Sequence, residues 1–156
     1  MTDPRANLAG LGLELPPVTA PLAAYVPAVR SGNQVYVSGQ VPMVNGKLEV
    51  TGKVGAEVSP EQAKQLAARC ALNALAAIDD LVGLDNVVRV VKVVGFVASA
   101  PGFTGQPGVI NGASEFFGKI FGDAGRHARS AVGVAELPLG APVEVEVIVE
   151  VIAQPG

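Results

Sequence analysis

The chain has 156 residues, 49% of them apolar, with 11 basic against 14 acidic side chains for a net charge of −3. That length suffices to bury roughly 70% of the unfolded surface and is expected to form one domain over residues 1–156. The slightly acidic balance, 4% aromatic content and lack of Trp argue against a nucleic-acid partner, while one Cys and one His exclude a disulfide framework and a self-contained Cys/His zinc site.

The N-terminus, Met1-Thr2-Asp3-Pro4-Arg5, lacks the charged-then-apolar order of a signal segment, and no uncharged apolar run reaches the ~18 residues of a membrane helix. A cytoplasmic location without membrane attachment is the expectation. Residues 1–21 mix Gly, Pro and Leu without period, as in Leu11-Gly12-Leu13-Glu14-Leu15-Pro16-Pro17, and read as an N-terminal arm or short helix. Apolar runs from Tyr25 to Val29 and from Gln34 to Val41 flank Arg30-Ser31-Gly32-Asn33, the pattern of a hairpin. Asn45-Gly46 predicts a second tight turn, because both residues tolerate positive φ.

Ser59-Pro60-Glu61-Gln62 opens the clearest helix, with a Ser N-cap, Pro at the first helical position and Gln at the capping-box position. Leu66, Cys70, Ala74, Ala77 and Leu81 form its packing stripe, Lys64 and Asp79 stay solvated, and Gly83 ends the run. Asn86 to Ala98, nearly all valine, predicts a central strand covered on both faces. A Gly/Pro-rich loop through Gly108 precedes a short helix over Ala113 to Phe121, which Gly122 and Gly125 stop. Ser130 to Ala135 and Val143 to Ile152 give two closing strands around Pro138-Leu139-Gly140, the second with valine at each odd position from 143 to 151. The order β-β-α-β-α-β-β without a regular βαβ alternation argues an α+β fold, a mixed sheet with two helices packed on one face.

Arg129 and Glu144 are the candidate catalytic pair, on two successive strands that would bring guanidinium and carboxylate together. An arginine fork grips a ligand carboxylate bidentately, and a partly desolvated glutamate exchanges protons with water. On residue type alone each has a plainer reading. Arg129 also fits a structural ion pair, and Glu144 a solvated strand face shared with Glu146 and Glu150. Tyr25 fits a half-buried aromatic, Asn111 a helix cap, Ser38 a turn hydroxyl, His127 an incidental loop histidine and Cys70 a buried, inert thiol.

In register, the pieces resemble a known family. They are Tyr25, Ser38-Gly39-Gln40-Val41-Pro42, Gln62-Ala63, Leu72-Asn73, Asn111 ahead of Phe116-Phe117, Ala128-Arg129-Ser130, Leu137-Pro138 and Val143-Glu144-Val145-Glu146. Together they are similar to the RidA or YjgF-like reactive-intermediate deaminases, some of which carry the labels translation inhibitor or perchloric-acid-soluble endoribonuclease. The resemblance implies a chorismate-mutase-like α+β fold assembled as a homotrimer, with sites in the clefts between subunits. It implies that Arg129 binds the carboxylate of a 2-imino or 2-enamino acid, that Glu144 positions the attacking water, and that Tyr25, Ser38, Gly39 and Asn111 line the pocket. The implied reaction is hydrolysis to a 2-keto acid and ammonia, without cofactor or metal.

The family commonly has Gly-Pro before the tyrosine, Pro before the Ala-Arg-Ser segment and Cys two residues after the arginine; here those places hold Ala23-Ala24, His127 and Ala131. These departures motivate an alternative, a trimeric ligand-binding or regulatory protein for small carboxylates without efficient turnover. The endoribonuclease reading is disfavoured by the acidic balance and the lack of a basic groove.

Overall fold

Turn chemistry sets the first hairpin. In the computed structural model, which describes residues 2–21 and 23–154, strand β1 (Ala28–Ser31) pairs antiparallel with β2 (Gln34–Gln40). Met1, Leu22, Pro155 and Gly156 lie outside the described residues, so the arm and the one-domain expectation are seen without them. The first strand begins at Ala28 rather than Tyr25, because Pro27 has no N–H to give a ladder. Asn45 and Gly46 take φ of 52° and 77°, and Val44 bridges Lys47 across them, the tight turn their residue types call for.

Helix α2 (Pro60–Val82) starts where Ser59 accepts the Gln62 N–H at 3.1 Å and ends at Gly83. Ser59→Ala is expected to cost about 1 kcal/mol of unfolding free energy, read as a lower urea midpoint at unchanged slope. The packing of α2 differs from a single stripe. Every residue from Cys70 to Ile78 is buried, whereas Leu66 is half-buried and Leu81 is 43% exposed. The reason is a third covering surface beyond sheet and neighbouring helix: Asn73 Nδ2 donates to Val41 O and Met43 O, and Arg69 Nε to Met43 O. Ala76 and Ala77, on the same side of the helix as Asn73, are small enough to let that loop close in. Neither polar residue expected to stay wet is free: Lys64 pairs with Glu115 at 3.3 Å, and Asp79 accepts from Arg5 and from Leu84 N.

Strand β3 (Val87–Ala98) is followed by helix α3 (Gln106–Phe121), strand β4 (Ala128–Val134) and strand β5 (Val143–Val151). The sheet order is β1-β2-β5-β3-β4, with only the β3–β4 pair parallel. The middle strand is therefore β5; β3 is interior but covered on one face only. Val90, Val93 and Val97 are fully buried, while Val88 is exposed and Val94 and Phe96 are half-buried. Helix α3 starts upstream of the expected Ala113, since Pro107 in a first turn forfeits no intrahelical bond. The odd valines of β5 face α2 and are buried. Phe117, Leu75, Ile78, Ile110 and Ile120 complete the core on that side.

The result is the expected α+β architecture, a mixed sheet with two long helices on one face. Its other face carries Tyr36 opposite Ile148, Val94 opposite Glu146, and Phe96 between Glu144 and Val132. Tyr36 and Val132 are each 43% exposed there. The arm holds both structures weighed for it, a short helix and an extended run. Helix α1 (Pro4–Gly10), capped by Asp3, is pinned by Arg5 to Asp85 at 2.9 Å and by Asn7 Nδ2 donating to Ile120 O at 2.8 Å. Among the described residues, no helix is long and apolar enough to cross a membrane.

Candidate functional site

The two strands expected to join Arg129 and Glu144 are not neighbours. Strand β3 lies between them, pairing Val93 with Arg129 on one side and Phe96 with Glu144 on the other. The faces differ as well. Arg129 is in register with inward-facing Val93 and Val147, and its side chain reaches α3; Glu144 alternates with the buried valines and points to the open face. The candidate residues thus form two groups on opposite faces of one sheet.

Glu144 anchors the first group. Register shifts between Val37 and Gln40, and this irregularity puts Ser38 and Gly39 out of the ladder beside Glu144. Thr19, Ala20, Pro21, Tyr25, Gly39, Met43 and Pro138 surround the carboxylate in a cavity of about 60 Å³. The Ser38 hydroxyl donates to Val26 O at 2.6 Å and its N–H to Pro27 O at 2.9 Å, so Ser38 ties the turn that carries Gly39. Burial, and secondarily the Glu146 charge, raise the Glu144 pKa above its ordinary value. A carboxylate held that way is suited to take a proton from water. A Cβ on Gly39 would lie 1.9 Å from Glu144 Oε1. Gly39→Ala is therefore expected to displace the carboxylate and cut turnover about tenfold or more while the fold stays intact, checked by paired activity and thermal melts.

Arg129 anchors the second group, at the start of edge strand β4. Its Nη1 donates to Asn111 Oδ1 at 2.8 Å and to Ser114 Oγ at 3.2 Å, both from α3. Among the described residues no carboxylate pairs with Arg129, which leaves the structural ion-pair reading without a partner. Asn111 holds the guanidinium instead of capping a helix, since α3 begins upstream of it.

The profile of the endoribonuclease L-PSP family matches residues 17–151. The chain belongs to this family, that of the YjgF/RidA proteins. Protein TCP17 of Trypanosoma cruzi is 47% identical over 147 residues, 93% of this chain and 92% of that one. The 2-iminobutanoate/2-iminopropanoate deaminase of Dermatophagoides farinae is 36% identical over 138 residues, 88% and 93% of the two chains. Protein Atu1372 of Agrobacterium tumefaciens, 46% identical, superposes with a TM-score of 0.88 over 96% of this chain and 92% of that one.

In this L-PSP family chain, sequence reasoning missed Ser114 altogether and set His127 aside. Ser114 Oγ lies 2.8 Å from His127 Nε2, and His127 Nδ1 lies 2.6 Å from Gly125 O. The available signal was spacing: Asn111 and Ser114 are three apart on a helix and so share a face. Cys70 is buried, and burial first, then the Glu144 charge, push its thiol well above the ordinary range, as an inert core thiol requires.

Proposed function

We propose that this L-PSP family protein hydrolyses reactive 2-imino and 2-enamino acids to 2-keto acids and ammonia, at clefts between neighbouring subunits of a homotrimer. The observation that carries the reading is the separation of Arg129 and Glu144 onto opposite faces of the sheet. A cation with no carboxylate partner among the described residues and a half-buried carboxylate over a small cavity are halves of a site that a second copy of the chain can complete. The open sheet face, with Tyr36, Phe96 and Val132 on it, supplies apolar surface for such a contact. The name of the Dermatophagoides farinae relative supports the reaction class.

The chemistry asks little of the protein. Arg129 clamps the substrate carboxylate, and Asn111 keeps the fork aimed. Glu144 takes a proton from water as the oxygen attacks C2 of the protonated imine. That proton passes to the nitrogen of the tetrahedral adduct; as the C2–N bond breaks, Glu144 takes the adduct's hydroxyl proton, C2–O becomes the keto group, and the departing ammonia carries that proton away as ammonium. An enamine enters the same path once C3 is protonated. Tyr25 and Gly39 wall the cavity, and Ser38 holds the turn that places Gly39. A short-chain imino acid, made in situ from an amino acid by a lyase or oxidase, tests the reading. Accelerated keto-acid release is expected; no acceleration across several side-chain sizes overturns it in favour of binding without turnover.

A further inference from the structure

We propose that Ser114 and His127 are positioning residues for Arg129, a hydroxyl–imidazole relay that fixes the guanidinium for the substrate carboxylate; this rests on the reading above. Hydrogen-bond direction makes the argument. The Gly125 carbonyl can only accept, so His127 Nδ1, 2.6 Å away, carries the proton. In that tautomer Nε2 is an acceptor, and the Ser114 hydroxyl 2.8 Å away donates to it. With its hydrogen committed, Ser114 Oγ offers its lone pairs to Arg129 Nη1 at 3.2 Å. Every link donates one way, from the arginine to a backbone carbonyl.

The relay is also mechanically anchored. The His127 ring packs edge-on against Phe117, with centroids 6.3 Å apart and planes at 84°, and Phe117 is fully buried. Asn111 and Ser114 project from the same face of α3, so Nη1 is held by two acceptors on one rigid element. Among the described contacts neither takes Nη2 or Nε, which stay available for a bidentate carboxylate. The geometry does not suit Ser114 as a nucleophile. Its oxygen accepts from Arg129, and His127 is oriented by a neutral carbonyl that gives an imidazolium no carboxylate support.

The test compares Ser114→Ala, Ser114→Thr and His127→Phe with wild type, in turnover of an in-situ imino acid and in calorimetric titration with 2-oxobutanoate. Ser114→Ala and His127→Phe are expected to raise KM and the 2-oxobutanoate Kd about tenfold, with kcat within about twofold. Ser114→Thr, which keeps the hydroxyl, is expected to restore wild-type values. A folded Ser114→Ala with unchanged Kd, a loss confined to kcat, or a threonine that rescues nothing overturns the relay. Alanine suits a helix interior, so this variant carries the test even where His127→Phe fails to fold. A wild type that neither turns over imino acid nor binds 2-oxobutanoate overturns the deaminase reading itself, and that failure shows before any substitution is made.

Discussion

Arg129→Ala is expected to lower kcat/KM for a short-chain 2-imino acid by about a hundredfold or more, with melting temperature changed by only a few degrees. The large effect follows from losing a charged, bidentate clamp, worth about 2–5 kcal/mol when its partner is left unpaired in a desolvated site. The small stability change follows from placement. Arg129 is half-buried at the start of edge strand β4, and no described carboxylate depends on it. Arg129→Lys is expected to recover only part of the loss, because an ammonium is a point charge without the planar fork. Steady-state kinetics beside a thermal melt check both statements; an unaltered kcat/KM for the alanine variant would remove Arg129 from the site.

Glu144→Gln is expected to lower kcat by about 10²–10⁴ while leaving KM close to wild type, as loss of a proton-transferring group does. The pH dependence carries its signature. Burial first, and Glu146 second, raise the Glu144 pKa, and the carboxylate is the working form. Turnover in wild type therefore rises as pH climbs through that raised value and levels off above it; the variant loses this limb. Stability runs the other way. A folded-state pKa above the unfolded one makes a contribution fully present below the unfolded value and lost as pH rises through the folded value. A pH-rate profile for the two proteins, with melts at matched pH, tests both signs. An acid limb of the same position in the variant would assign it to another group.

Local signals in the chain were enough for most of the fold. Ser59, Pro60 and Gly83 bounded α2, Asn45-Gly46 made its turn, and the odd valines marked the buried face of β5. What depended on strand order was not legible. Consecutive strands β4 and β5 read as neighbours, yet β3 inserts between them, and only a parallel β3–β4 pair reveals it. That insertion parts Arg129 from Glu144, and the register, with Arg129 opposite Val93 and Glu144 opposite Phe96, puts them on separate faces. The packing of α2 was misjudged for a related reason: the stripe counted one covering surface, while the Val41–Met43 segment supplies another through Asn73 and Arg69. Of the candidate residues, Glu144, Tyr25 and Gly39 line one small cavity, Arg129 is held by Asn111 on the other face, and Ser38 is tied to Val26 O. The link from Ser114 to His127 spans two elements and had no local pattern to announce it.

The account rests most heavily on a site divided between two copies of the chain, and subunit mixing tests that directly. Arg129→Ala and Glu144→Gln proteins, each impaired alone, are unfolded together, refolded as mixed oligomers, and assayed for keto-acid release from an in-situ imino acid. In a trimer with one Arg129 and one Glu144 from different subunits at each cleft, random mixing at equal ratio restores about a quarter of the wild-type rate. Recovery of that size is the predicted result. No recovery from mixed oligomers, alongside an active wild type refolded the same way, would contradict it and return both residues to a site within one chain.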